Sequence, residues 1–183
     1  QARSFAAHAN YEIRGAPSSV VSYLYPALIS PAWWAASMRT TYGFAKAINS
    51  VLMTLVAIPV YLWGSRLAPR RYVFAAVALT LLLPGFFYTG ELMTENAFFP
   101  AFVTAAFATA LVLERPTLAR QALMLAAFLL TVAIRFQGLV LFVVLPTAVL
   151  LKLAFDLLGR EGESRGKVVR RSLVPLWPTA AAL

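Results

Sequence analysis

Two short polar clusters interrupt long apolar runs in this sequence, and they hold the residues best suited to chemistry. The first is Tyr88-Thr-Gly-Glu-Leu-Met-Thr-Glu-Asn96, with carboxylates at 91 and 95. Glu95 and Asn96 fall at the start of a predicted helix, beside its positive dipole end. Thr94 as an N-cap with an acidic first turn is the plainest reading of this pattern. Yet Leu92, Met93, Phe98 and Phe99 hem Glu95 in. An ionisable group in such apolar surroundings is a functional candidate in its own right. Glu91 reads as a solvated loop carboxylate.

The second cluster is Arg135-Phe-Gln-Gly138, where Arg135 closes an uncharged run that begins at Gln121. One reading is an arginine whose stem lies along apolar surface while its head reaches water. The other is a phosphate ligand, because the guanidinium fork matches phosphate oxygens. Gln137 would add neutral hydrogen bonds. A third, looser group is Arg14, Tyr23, Tyr25 and Lys46. Aromatic faces suit sugar rings and basic groups suit phosphate. Trp33 and Trp34 read instead as an interfacial aromatic belt, and Lys46 reads equally as an anchor at the start of a span.

Several chemistries are excluded within this stretch. It has no Cys and a single His, His8, which removes thiolate nucleophiles, disulfides and multi-histidine metal sites. It has no Gly-rich phosphate loop, no paired-Asp metal motif and no Ser/His/Asp set. A net charge of +9 suggests nucleic acid, but the basic residues lie in turns between apolar runs rather than on one soluble face. There they set membrane orientation.

The elements that must position these clusters are apolar helices. Of 183 residues, 61% are hydrophobic and 13% charged, with a mean hydropathy of +0.75. A soluble domain of this size cannot hide so much apolar surface. The fold class is therefore all-α: a polytopic transmembrane bundle with juxtamembrane helices. Residues 1–43 read as an outer loop with an amphipathic helix and a Pro-containing interfacial helix pair. Residues 44–155 hold five spans, near 44–63, 72–88, 97–113, 121–134 and 138–155. The fourth is short against the ~20 residues that a bilayer needs. Residues 156–172 form a basic loop, and 173–183 open a further helix. The chain reads as an interior piece of a larger membrane protein. Alternating spans place 11 of the 16 basic residues on the side of turns 64–71, 114–120 and 152–172. That side is cytoplasmic by the positive-inside rule, so both polar clusters face outward.

In this setting the run Tyr88 to Pro100 resembles a pattern in bacterial GT-C glycosyltransferases. It is similar to the family 39-like group that includes aminoarabinose transferases and protein mannosyltransferases. "ARSFA" at 2–6, "YLYPALISPAW" at 23–33, "AKAINSVLMTLVAIPVYLWGSRL" at 45–67, "LERPTLARQ" at 113–121 and "AIRFQGLVL" at 133–141 follow in the family's order. The resemblance implies sugar transfer, with inversion, from a polyprenyl-phosphate donor to a glycan, lipid or protein acceptor. It implies reaction at the outer face of a bacterial inner membrane, with basic residues and sometimes a divalent metal stabilising the departing phosphate. It places Glu95 at a second acidic position near the site and Arg135 at the turn facing the lipid phosphate. The family's principal acidic motif lies before the part matched by "ARSFA", and the outer segments here contain no Asp. Two other readings stand beside it: a transporter or flippase of lipid-linked substrates, which would use the same Arg and Glu residues for binding without chemistry, and a non-catalytic membrane subunit that scaffolds a larger complex. Nucleic acid is not an expected partner.

Overall fold

The computed structural model describes residues 1–13, 16–17, 22–82, 88–158, 169–170 and 172–182. Helix α1 (Ala2–His8) ends at Ala9, which takes a left-handed conformation with φ 53°. Two-residue strands β1 (Glu12–Ile13) and β2 (Ala16–Pro17) then pair antiparallel, Glu12 with Pro17 and Ile13 with Ala16. The sequence reading anticipates the helix but not this ladder. Helix α2 (Leu24–Ile29) runs into a 3-10 turn at Ser30–Trp34, so the stretch around the two prolines forms two short helical pieces.

Helix α3 (Met38–Thr54) begins six residues before the expected span. Ser37 caps it, its hydroxyl oxygen accepting from the Thr40 backbone N–H at 3.3 Å. Hydropathy alone passes over that first turn because Arg39, Thr40 and Thr41 are polar. After a tight step at Leu55–Val56 the chain continues as α4 (Ala57–Gly64), and the two make one 27-residue rod. Helix α5 (Arg70–Leu82) packs against α4. Helix α6 (Glu95–Glu114) and helix α7 (Leu118–Ile134) form a tight hairpin, and α8 (Leu141–Leu158) follows a 3-10 turn at Phe136–Val140. Thr117 caps α7 by accepting from the Arg120 N–H, so that helix starts three residues before the expected fourth span. A short 3-10 turn (Val174–Leu176) and α9 (Trp177–Ala182) complete the described chain.

The chain is mostly helical. Among the described residues, three helical stretches are long and apolar enough to cross a membrane: Met38–Gly64, Glu95–Glu114 and Phe136–Leu158. Two of the five expected spans are shorter. Helix α7 has 17 residues, and α5 is described over 13.

Ala105 and Ala108 give α6 a small-sided face on which α7 can approach closely. Met124, Ala127 and Phe128 of α7 and Leu141 and Leu145 of α8 close a buried core around it. A second core holds Ala2, Tyr25, Ile29, Ala97, Ala101 and Ile134, joining the first helices to the α6–α7 hairpin.

Ion pairs among the described residues lie at the two ends of α6. At its C-terminal end Arg66 and Arg120 approach Glu114 at 2.7 and 3.7 Å. Arg120 also donates to the Leu111 carbonyl at 2.8 Å, and the Lys152 ammonium donates to the Leu113 carbonyl. The last carbonyls of a helix lack partners within it, and cations supply them here. The turns at 64–71 and 114–117 and the middle of α8 therefore meet at one end. Glu95 and Arg135 lie at the other.

Candidate functional site

The site is built on the first turn of α6 and the last turn of α7. Residues 88–94 must leave a short 3-10 turn and enter α6 in a tight space, and Asn96 holds them there. Asn96 is fully buried. Its amide nitrogen donates to the carbonyls of Tyr88 at 3.0 Å, Glu91 at 3.1 Å and Met93 at 3.1 Å. Asn49 of α3 donates to the same Glu91 carbonyl at 2.9 Å and accepts from the Tyr25 hydroxyl at 3.1 Å. One loop is thus fixed to α2, α3 and α6 through three buried polar side chains. Buried amides are tolerated because nearly every donor is satisfied. The Asn96 carbonyl oxygen is the one buried side-chain atom without a partner among the described residues. Burial pushes the Tyr25 phenol above its ordinary value; the Asn49 and Asn96 amides pull it back, and the negative charge of Glu95 adds to the rise.

On the other side of the site, α7 ends at Arg135, whose N–H still reaches the Thr131 carbonyl at 3.0 Å. The chain then doubles back over the helix it has just left. Gly138 makes that return. A β-carbon there would stand 2.8 Å from the Val132 nitrogen and 2.9 Å from the Thr131 carbonyl carbon, both backbone atoms that cannot yield. The Ser22 hydroxyl donates to the Ile134 carbonyl and ties the approach to α2 onto this end.

Between these two turns Arg135 and Glu95 meet. The guanidinium donates through Nη1 to the Glu95 carboxylate and through Nε to Gln137 Oε1 at 2.8 Å. The Phe98 ring centre lies 5.9 Å from its central carbon. The second Glu95 oxygen accepts from the Thr94 hydroxyl at 3.3 Å. Thr94 stands at the N-cap position but makes no cap to the backbone, so its hydroxyl serves the carboxylate instead. The two charged side chains are 30% and 37% exposed, a pair open to an incoming ligand rather than sealed in the core.

An apolar groove of about 460 Å³ runs between the helices that carry this pair and their neighbours, although neither charged residue lines it. Ala97 and Ile134, each close in sequence to one of the two charged residues, are among its lining. Leu28, Leu52, Pro59 and Thr104 extend it between α2, the α3–α4 rod, α6 and α7.

The structure sorts the residues singled out from sequence into three groups. Glu95, Arg135 and Gln137 form one connected set. Tyr25 and Asn96 lie beneath it, buried, and serve as supports rather than as surfaces for a sugar ring. Tyr88 contributes its carbonyl, while its ring is 47% exposed. Lys46 is an exposed residue of α3 and makes no ion pair among the described residues. Arg14 lies outside the described residues. Asn49 is the member that sequence reading passes over, although a lone Asn inside an apolar run is a legible signal. Among the described residues no group of three or more acidic, His or Cys side chains could hold a metal ion. No family model, curated protein or solved structure matches this chain, so the arrangement rests on its own geometry.

Proposed function

We propose that this chain is part of an integral membrane glycosyltransferase that uses a polyprenyl-phosphate sugar donor. The observation that carries the reading is the partly exposed Glu95–Arg135 pair, flanked in sequence by Ala97 and Ile134, which line an apolar groove. A cation presented by a rigid turn suits a phosphate, and the apolar groove suits a prenyl chain. A carboxylate in contact with that cation suits the acceptor side of the reaction. The acceptor hydroxyl oxygen attacks the anomeric carbon, and the bond from that carbon to the phosphate oxygen breaks. Its electron pair leaves with the polyprenyl phosphate, whose charge Arg135 offsets. The hydroxyl proton passes to a carboxylate, with Glu95 placed to share or assist that transfer.

The charge separation along α6 supports an orientation. The end bearing Arg66, Arg70, Arg71, Arg115, Arg120 and Lys152 faces the cytoplasm, and Glu95 and Arg135 face outward. Any divalent metal would require ligands beyond Glu95 at this site.

The test is sugar transfer by the full chain in detergent, from a labelled polyprenyl-phosphate sugar. Arg135→Ala and Glu95→Gln are each expected to lower turnover by about 10²–10³-fold while leaving thermal unfolding within a few degrees of wild type. Wild-type rates in both variants would refute the assignment. Donor binding with no transfer to any acceptor would favour a carrier of lipid-linked substrates instead.

A further inference from the structure

Arg135 is held in three ways, and only one of them is charged. Gln137 fixes Nε, the Phe98 ring lies beside the guanidinium, and Glu95 accepts from Nη1. Taking the carboxylate away leaves the two neutral restraints, so the guanidinium keeps its direction. Glu95 is held in the same divided fashion. The Thr94 hydroxyl and the backbone N–H of Glu95 itself remain when Arg135 turns to another partner.

Building on the phosphate reading of Arg135, we infer that the Glu95–Arg135 pair is a latch that the donor itself opens. A phosphate oxygen takes the place of Glu95 Oε1 at Nη1. The displaced carboxylate oxygen stays at the head of α6 and becomes free to accept from the acceptor hydroxyl. Before the donor arrives, the carboxylate is occupied and the acceptor has no partner there. Donor binding therefore precedes productive acceptor binding, and the site does not engage an acceptor without a donor.

The latch makes binding and turnover respond in opposite directions to one substitution. Sugar-free polyprenyl phosphate in detergent micelles is titrated calorimetrically into the full-chain wild type, Glu95→Gln and Arg135→Ala, with inorganic phosphate as a second ligand. Glu95→Gln removes the competitor. It is expected to bind both ligands about two- to fivefold more tightly, the range in which partly exposed ion pairs act, while sugar transfer collapses. An affinity in Glu95→Gln that is unchanged or weaker, with thermal unfolding intact, overturns the latch and leaves Arg135 as a phosphate ligand. Equal affinity in wild type and Arg135→Ala overturns the phosphate reading itself. If Glu95→Gln does not fold, Glu95→Asp is titrated in its place. Its shorter arm leaves Arg135 free, so it too is expected to tighten binding, and no gain there rejects the latch.

Discussion

Asn96 and its neighbour Glu95 are adjacent in sequence and opposite in task. Glu95 turns outward to Arg135, whereas Asn96 turns inward and spends its amide N–H groups on three loop carbonyls. Asn96→Ala is therefore expected to destabilise the protein by about 1–3 kcal/mol, the cost of leaving buried polar groups unpaired. Transfer should fall with it, because the loop positions the head of α6. Thermal unfolding in detergent alongside a transfer assay reads both effects. From sequence these two residues look alike, a polar pair at a helix start. What separates them is the direction of each side chain around the first turn, and that depends on where α3 and α7 lie. Tyr25 shows the same limit. Its type suggests a ring for stacking on sugar, but α1, α2 and α6 close over it, and only its hydroxyl does polar work.

Among the elements, the turn after α7 carries the most consequence for the site. Gly138 allows the chain to fold back on Thr131 and Val132, and this return sets Gln137 against Arg135. Gly138→Ala is expected to destabilise by about 1–3 kcal/mol as the backbone shifts to relieve the contact. It should also weaken donor binding, because Gln137 moves with the turn and no longer holds the Arg135 guanidinium in place. A Gly138→Ala protein with wild-type unfolding and wild-type donor affinity would show that the turn is not a positioning element. Helix identities were legible in the chain because apolar runs separated by Pro, Gly and Arg leave few alternatives. Their starts were not. Ser37 and Thr117 begin α3 and α7 inside polar sequence, where a cap outweighs hydropathy. The β1–β2 ladder was illegible for a related reason, since two residues carry no periodicity to read.

For the whole molecule, the decisive question is which end of α6 faces which side. The chain has no cysteine, so single cysteines can be placed without background. Gln137→Cys is expected to react with a membrane-impermeant maleimide added to intact cells, and Arg115→Cys only after the membrane is breached. The reverse pattern would invert the proposed orientation. Charge counting made the two ends legible, and the gathering of Arg66, Glu114 and Arg120 at one of them follows that division. Contact between residues 40 positions apart was not legible, because it requires α6 and α7 to pack at one specific height. The apolar groove has a further consequence for the proposed function. It is lined by residues of α2, the α3–α4 rod, α6 and α7. Under the proposed function a donor would reach it within a two-dimensional solvent, and transfer would follow the donor's mole fraction among amphiphiles rather than its bulk molarity. With total donor held constant, each addition of detergent should slow transfer by surface dilution, and adding carrier lipid and donor together in fixed proportion should leave the rate unchanged.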